Sequence, residues 1–285
     1  MRIVTYEDAG RLHPGVVKDG MVLDLEIAGF RSVLELIEAG REGLAKVEKH
    51  AIGAPRDSWH PLSGLKLMAP IPRPGKLICV GLNYLDHAKE TGAEIPKVPT
   101  IFNKFNTAVI GPGANIVLPK ASKAPDYEAE FAFVIGRGGR YIEKDDWKKH
   151  VFGYTIVNDV SARDYQRATT QWLMGKTFDT FAPMGPWIVT ADEIADPHDL
   201  NIELEIGGET LQDSNTRELI FKVPDLIAFL SSVFTLEPGD VVSTGTPSGV
   251  GFARKPPVWM KNGDTCEVDI EGIGILSNPI ADEKP

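Results

Sequence analysis

Two glutamates separated by one residue, Glu128 and Glu130, stand at the beginning of an apolar segment that ends at Gly136. In an extended strand alternate side chains point to the same side, so the two carboxylates lie together. Two neighbouring negative charges disfavour each other's ionisation unless a cation lies between them. A divalent metal ion with oxygen ligands is the obvious cation for this spacing. The alternative is a strand end whose two glutamates are solvated, which is common for an isolated Glu-x-Glu pair.

A third carboxylate, Asp159, follows another apolar segment at the point where it gives way to a polar turn. Strand ends that converge often hold ligands, because side chains there extend from a rigid backbone. Glu128, Glu130 and Asp159 with water would form an oxygen-rich environment, which suits Mg²⁺ or Mn²⁺ better than Zn²⁺. A lone aspartate at such a position is also a common turn or N-cap residue, so both interpretations of Asp159 stay open.

His87 and Glu90 stand three residues apart after the predicted strand at 76–80. On a helical turn they can hydrogen-bond to each other. A histidine held by a carboxylate has a fixed tautomer and a partner that stabilises its charged form, which is the arrangement needed to deprotonate water. Such pairs are equally common on exposed helices, and the pattern alone does not decide between the two.

A cationic cluster surrounds Lys176. The triplet at 175–177 resembles the end of a phosphate-binding loop, but Thr170 stands where that motif requires glycine. Lys176 is therefore better placed as a cation near an oxyanion or carbonyl, with Arg163 and Gln166 as further donors. Solvation at the surface is the alternative, which suits Arg167 better than Lys176 with its apolar neighbours.

A glycine-rich loop at 243–251 follows another predicted strand. The N–H of Gly245 and the hydroxyl of Thr246 are candidates for holding a substrate carboxylate. A tight structural turn is the other interpretation. The loop lacks the glycine spacing and context of a dinucleotide-binding motif.

Composition narrows the class of protein. The 285 residues are 42% hydrophobic and 25% charged, as in an ordinary globular protein. The net charge of −10 argues against nucleic acid as a partner, and no apolar run is long enough to span a bilayer. Two cysteines without metal-binding spacing favour a reducing compartment. Because the first residues resemble neither a signal nor a transit peptide, we expect a cytoplasmic protein.

The strands and helices predicted from the sequence, which must position the candidate site residues, indicate an α+β, β-rich fold. We predict a small N-terminal domain at 1–68, a proline-rich linker at 69–75 and a catalytic domain of many short strands at 76–285. Apolar spacing predicts helical turns interrupted by Gly40 and a helix over 223–234, with Pro224 in its first turn.

Five motifs occur in one order along the chain: GLNY followed by DH (81–87), DYEAE (126–130), NDVSARD (158–164), GKTFDTF (175–181) and GTPSGVG (245–251). In this order they resemble the fumarylacetoacetate hydrolase superfamily over roughly residues 70–280. The resemblance is closest to the branch of fumarylacetoacetate hydrolase domain-containing protein 2. One departure is the segment 168–170, where relatives often carry glycines.

The resemblance implies a homodimer with a β-roll catalytic core. It implies Mg²⁺ or Mn²⁺ bound by the residues that match the metal ligands, a water-activating pair on a segment that orders as a lid, and a lysine assisted by an arginine and a glutamine. In this chain the implied residues are Glu128, Glu130 and Asp159 for the metal, His87 and Glu90 for water, and Lys176 with Arg163 and Gln166.

These observations predict a metal-dependent hydrolase that cleaves a C–C bond in a small β-diketo acid of the acylpyruvate or fumarylpyruvate type, through an enolate. The same site suits a related α-keto acid. The alternatives are keto–enol tautomerisation or decarboxylation of oxaloacetate, and isomerisation of a 2-hydroxy-diene-dioate. A non-catalytic protein that binds a metal or a metabolite is the third interpretation.

Overall fold

The computed structural model describes residues 1–284 and is richer in strands than in helices. Its strands are β1 (Arg2–Asp8), β2 (Arg11–Lys18), β3 (Met21–Asp24), β4 (Trp59–Pro61), β5 (Lys66–Met68), β6 (Leu77–Gly81), β7 (Thr100–Asn103), β8 (Val109–Ile110), β9 (Ile116–Leu118), β10 (Pro125–Asp126), β11 (Ala129–Ile135), β12 (Val151–Asn158), β13 (Ser161–Ala162), β14 (Ala182–Thr190), β15 (Asn201–Ile206), β16 (Glu209–Asn215), β17 (Val241–Ser243), β18 (Thr265–Ile270) and β19 (Gly274–Asp282).

The α-helices are α1 (Val33–Gly53), α2 (Leu85–Thr91), α3 (Arg163–Gln166), α4 (Leu173–Lys176) and α5 (Val223–Val233). Short 3₁₀ helices span Leu25–Ala28, Arg56–Ser58, Leu62–Gly64, Asn106–Ala108, Lys144–Lys149, Ala191–Glu193, Thr216–Glu218 and Gly251–Ala253. As predicted, Gly40 interrupts α1, where its φ of 57° and ψ of −136° are not helical. Within residues 1–284 no helix combines the length and apolar character that crossing a membrane requires.

The largest sheet has the strand order β4-β3-β2-β1-β14-β12-β11-β17-β6-β7. Strand β11 lies near its centre and is buried along its whole length. Phe131, Phe133 and Ile135 pack into one hydrophobic cluster, whereas Ala132 and Val134 pack into another on the opposite face. Because both faces are covered, β11 is a continuous apolar run and not an alternating one.

A second sheet, with the order β16-β15-β18-β19-β9, covers one face of the first. Strand β18 alternates strictly between exposed and buried residues, as expected for a sheet with one face in water. Its buried residues Cys266, Val268 and Ile270 join the cluster that contains Phe131. Strands β10 and β13 form a separate short pair.

The N-terminal strands continue the large sheet. Arg2 and Ile3 of β1 pair with Val189 and Ile188 of β14, so backbone hydrogen bonds cross the predicted domain boundary. The proline-rich segment 69–75 is packed against the core, and its buried Ile71 belongs to the second cluster. The division into domains remains a prediction, but the segment 69–75 is not a solvent-exposed linker.

Candidate metal centre and active site

Three acidic residues meet where β11 begins and β12 ends. The two strands are antiparallel neighbours, with Ala129 opposite Asn158, so the residues next to this pair lie side by side. The N–H of Asp159 donates to the carbonyl oxygen of Glu128 at 2.9 Å. Glu128 and Glu130 flank Ala129 and point to the same side. Carboxylate oxygens of Glu128, Glu130 and Asp159 lie within 4.8 Å of one another, and all three residues are buried.

Two buried lysines contact these acids. Lys176 Nζ lies 2.6 Å from Glu128 Oε2 and 2.7 Å from Asp159 Oδ2. Lys104 follows β7 and donates to Asp159 Oδ1 at 2.5 Å and to the carbonyl oxygen of Val160 at 2.9 Å. Burial opposes the charge of Lys176, but Asp159 and Glu128 outweigh it and raise the pKa of this lysine. Burial has the larger effect on Lys104 and lowers its pKa.

Glu130 has no lysine or arginine partner within residues 1–284. Its Oε2 accepts hydrogen bonds from the hydroxyl of Ser243 at 2.5 Å and from the N–H of Gly245 at 3.0 Å. Burial raises the pKa of Glu130 well above its ordinary value, and the charges of Asp159 and Glu128 raise it further. Glu130 is thus a carboxylate that a nearby cation would stabilise.

The donor set fits a divalent ion of the Mg²⁺ or Mn²⁺ type. Glu128, Glu130 and Asp159 offer only carboxylate oxygens, which these hard ions prefer. No histidine or cysteine belongs to this described cluster, which disfavours zinc. A divalent cation would also offset the repulsion that raises the pKa of Glu130.

Arg163 connects the acidic cluster to its surroundings. Its Nε donates to Asp126 Oδ2 at 2.8 Å, and its Nη1 donates to Gln166 Oε1 at 2.9 Å. Its Nη2 lies 2.6 Å from Glu128 Oε1, but the angle is outside hydrogen-bonding geometry, so this contact is an ion pair alone. Burial opposes ionisation of Glu128, yet Arg163 and Lys176 outweigh it and lower the pKa of this acid.

His87 and Glu90 lie one turn apart on α2. His87 Nδ1 is 3.1 Å from Glu90 Oε2, and Glu90 Oε1 accepts the N–H of Gly249 at 2.9 Å. His87 is only 8% exposed, and its ring meets that of Phe252 edge-on. The pair is therefore part of a packed site and is not the solvated surface pair that the sequence left open.

Asn83 fixes the turn between β6 and α2. Its Nδ2 donates to the carbonyl oxygens of Phe221 at 3.0 Å and Thr244 at 2.8 Å, while its Oδ1 accepts the N–H of Phe221 at 2.8 Å. Strand β6 runs parallel to β17, so both end at the edge where β11 begins. Asn83 thereby holds α2, and with it His87, at the same edge of the sheet as the three acids.

A cavity of about 460 Å³ opens above this edge. Every predicted site residue lines it except Glu90 and Gly245. Glu90 reaches His87, and the N–H of Gly245 donates to Glu130. Because that N–H is already used, Gly245 positions Glu130 and does not offer its N–H to a substrate carboxylate. Thr246 lines the cavity, and its contact with a substrate carboxylate stays a prediction.

Several residues that shape the site carry no assignment from the sequence. Lys104 follows a short edge strand without any marking pattern. Asp126 stands two residues before Glu128, and this repeat of the acidic spacing is a signal that could have identified it. Arg167 and Phe252 line the cavity from segments that sequence patterns assign to the surface or to a loop.

Residues 76–281 match the family described as fumarylacetoacetate (FAA) hydrolase, C-terminal. The chain is 47% identical over 288 residues to oxaloacetate tautomerase Fahd2a, mitochondrial, of Rattus norvegicus, with 98% of this chain and 91% of that protein covered. It is 46% identical over 252 residues to oxaloacetate tautomerase FAHD2A, mitochondrial, of Homo sapiens, with 88% and 80% covered.

Solved structures match over the whole chain. Fumarylacetoacetate hydrolase from Exiguobacterium antarcticum superposes with a TM-score of 0.87 at 37% identity, covering 99% of this chain and all of that one. Maleylpyruvate hydrolase from Sphingobium sp. SYK-6, in complex with manganese(II) and pyruvate, gives a TM-score of 0.84 at 32% identity and covers both chains completely. The predicted strand-rich fold of this family is confirmed.

The prediction of a cytoplasmic protein is wrong. Similar proteins from Rattus norvegicus, Bos taurus, Xenopus laevis and Homo sapiens are all named as mitochondrial, and the absence of a recognisable targeting pattern was too weak a basis for the prediction. The family match over most of the chain confirms the predicted resemblance. The chain belongs to the fumarylacetoacetate hydrolase family, in the branch of fumarylacetoacetate hydrolase domain-containing protein 2.

Proposed function

We propose that this protein is a divalent-metal-dependent oxaloacetate tautomerase, which interconverts the enol and keto forms of oxaloacetate. One observation carries the proposal. A buried triad of acids shares a cavity with His87, in a chain 47% identical over nearly its whole length to a protein named oxaloacetate tautomerase. Tautomerisation thus replaces C–C hydrolysis as the leading interpretation.

We assign Glu128, Glu130 and Asp159 as the ligands of Mg²⁺ or Mn²⁺. The ion would act there as a Lewis acid toward the 2-keto acid end of the substrate. The maleylpyruvate hydrolase structure, which contains manganese(II) and pyruvate, supports a keto acid as ligand for this site too. Lys176 lies beside two of these acids, so its ammonium group is placed to stabilise negative charge on the C2 oxygen. Gln166 and Thr246 line the same cavity as substrate contacts.

His87 is the group that we assign to proton transfer. From enol to keto, C3 of oxaloacetate gains a proton and the oxygen on C2 loses one, so no atom enters or leaves overall. His87 Nδ1 faces Glu90, which leaves Nε2 as the ring nitrogen for exchange. The carboxylate of Glu90 stabilises the imidazolium that forms when Nε2 accepts a proton.

Hydrolysis of an acylpyruvate or fumarylpyruvate is the second candidate. Two solved relatives are named as hydrolases, one of fumarylacetoacetate and one of maleylpyruvate. The same pair, His87 and Glu90, would take a proton from water, and the water oxygen would attack the distal ketone. Lys176, with Arg163, would then stabilise the developing oxyanion. Collapse of this oxyanion would break the C–C bond, giving a carboxylic acid and the enolate of pyruvate, whose carbon would take up the proton removed from water.

The test follows the ultraviolet absorbance of enol oxaloacetate as it converts to the keto form. We expect metal-stripped protein to be inactive and Mg²⁺ or Mn²⁺ to restore turnover. His87→Ala should lower kcat by about 10²–10⁴-fold, the usual contribution of a general acid–base. His60→Ala removes an exposed histidine outside the cavity and serves as the matched control.

Two results would contradict the proposal. Metal-loaded protein that leaves the rate of enol–keto conversion at its uncatalysed value would refute tautomerisation. Rapid cleavage of an acylpyruvate without any effect on oxaloacetate would put the second candidate in its place.

A further inference from the structure

Arg167 stands at the mouth of the cavity with no acidic partner. Two other cations that line the cavity, Arg163 and Lys176, are both paired with Glu128. Arg167 also lines the cavity, yet no carboxylate of residues 1–284 lies within ion-pairing distance of it, and it is exposed. Its guanidinium charge is therefore available to a ligand.

An aromatic ring fixes Arg167 relative to the metal cluster. The guanidinium carbon of Arg167 lies 4.3 Å from the centre of the Phe252 ring, and that of Arg163 lies 4.5 Å from the same centre. Asp126 Oδ2 accepts both the N–H of Phe252 at 3.0 Å and Nε of Arg163 at 2.8 Å. One phenylalanine ring thus contacts both Arg167 and the arginine that is paired with Glu128.

The backbone around Arg167 is fixed by a hydrogen bond and by close packing. Its N–H donates to the carbonyl oxygen of Arg163 at 3.1 Å and closes the turn of α3. Helix α4 packs directly against this turn at Gly175, where an added Cβ would lie 2.4 Å from the backbone nitrogen of Gln166. Arg167 therefore extends from a fixed turn and not from a free loop.

We propose that Arg167 binds the second carboxylate of the substrate and selects dicarboxylic keto acids. This inference rests on the proposed function, in which the keto acid end of oxaloacetate lies at the metal cluster and the C4 carboxylate is directed away from it. A guanidinium group forms paired hydrogen bonds with a carboxylate. In a protein of net charge −10, a local unpaired cation also helps to attract a dianion.

The test compares two ligands that differ only in the distal carboxylate. N-oxalylglycine and N-methyloxamate share the oxalyl end that chelates a metal, but only the first carries a second carboxylate. Calorimetry with Mn²⁺-loaded protein would measure both dissociation constants for wild type, Arg167→Met and Arg167→Lys. Arg56→Met removes one charge from an exposed arginine outside the cavity and is the control.

We expect Arg167→Met to weaken the binding of N-oxalylglycine about tenfold, which is the scale of one charge-assisted contact. The affinity for N-methyloxamate should not change. Arg167→Lys should recover part of the loss, and Arg56→Met should resemble wild type. With oxaloacetate as substrate, the loss should appear in KM and not in kcat.

The inference is overturned if Arg167→Met affects both ligands equally or neither, or if wild type binds them equally well or not at all. A wild type without tautomerase activity would refute the proposed function. The ligand pair would still show whether Arg167 recognises a distal carboxylate, so the two failures are distinguishable.

Discussion

Replacing Lys104 by methionine tests the buried charge network around Glu128, Glu130 and Asp159. Lys104 is 2% exposed, and its Nζ donates to Asp159 Oδ1 at 2.5 Å and to the carbonyl oxygen of Val160 at 2.9 Å. Methionine has a similar length but no charge, so Asp159 and this carbonyl would each lose a donor, and Asp159 would stay buried. Asp159 would keep Lys176 as its remaining cationic partner.

The expected loss of stability follows from the burial of the Lys104–Asp159 ion pair. Removing one partner of a buried ion pair destabilises a protein by about 3–5 kcal/mol when the other charge is left without compensation. Because Lys176 still compensates Asp159, we expect the lower end of this range, about 3 kcal/mol. For a chain of 285 residues the entropy of unfolding is about 0.6 kcal/mol/K, so Tm should fall by about 5 °C. Lys66→Met is the matched control, because Lys66 and Glu7 form a salt bridge at the surface. Such a pair contributes only about 0–1 kcal/mol.

Thermal unfolding by circular dichroism, with and without Mn²⁺, measures the effect. Mn²⁺ should restore part of the lost stability of Lys104→Met, because a divalent cation at Asp159 supplies the charge that the lysine provided. A fall in Tm no larger than that of Lys66→Met would refute the argument. So would a deficit that Mn²⁺ leaves unchanged, because the lysine and the metal would then not share Asp159.

Three further predictions concern the same site and the assembly. Glu130→Gln should weaken Mn²⁺ binding by about 100-fold. Residues that only contact a metal ligand change metal affinity by about 10–100-fold when they are mutated, and Glu130 is itself a proposed ligand. Calorimetry on the folded variant measures the dissociation constant. Hydrogen exchange at residues 83–95 should slow when oxalate binds, because we predict that this segment orders as a lid; equal exchange in both states would exclude it. Light scattering should give twice the chain mass of 31.1 kDa, because we predict a homodimer, and the mass of one chain would contradict this prediction.

The grouping of the three acids Glu128, Glu130 and Asp159 could be predicted because its geometry is local. The spacing of Glu128 and Glu130 fixes their common side through strand alternation, and Asp159 ends a recognisable strand. Lys104 could not be predicted, since its burial depends on contacts with Asp159 and Val160, more than fifty residues away.

Two other features depend on tertiary pairing in the same way. The N–H of Gly245 reaches Glu130 only because β17 pairs with β11, and no local pattern specifies this pairing. Arg167 lies in a polar segment that is typical of surface. Its contact with the site depends on the ring of Phe252, which is distant in sequence.

The pairing of β1 with β14 has a consequence for how the chain folds during synthesis. Strand β1 can pair early with β2 and β5, which are close in sequence. Its first residues, Arg2 and Ile3, however, pair with Val189 and Ile188 of β14, so this part of the strand stays unpaired on one side until β14 is synthesised. At a ribosomal rate of about 5–20 residues per second, Ile3 precedes its partner by roughly 10–40 s. During this interval the nascent chain exposes an open strand edge, and such an edge can pair with the strands of other chains.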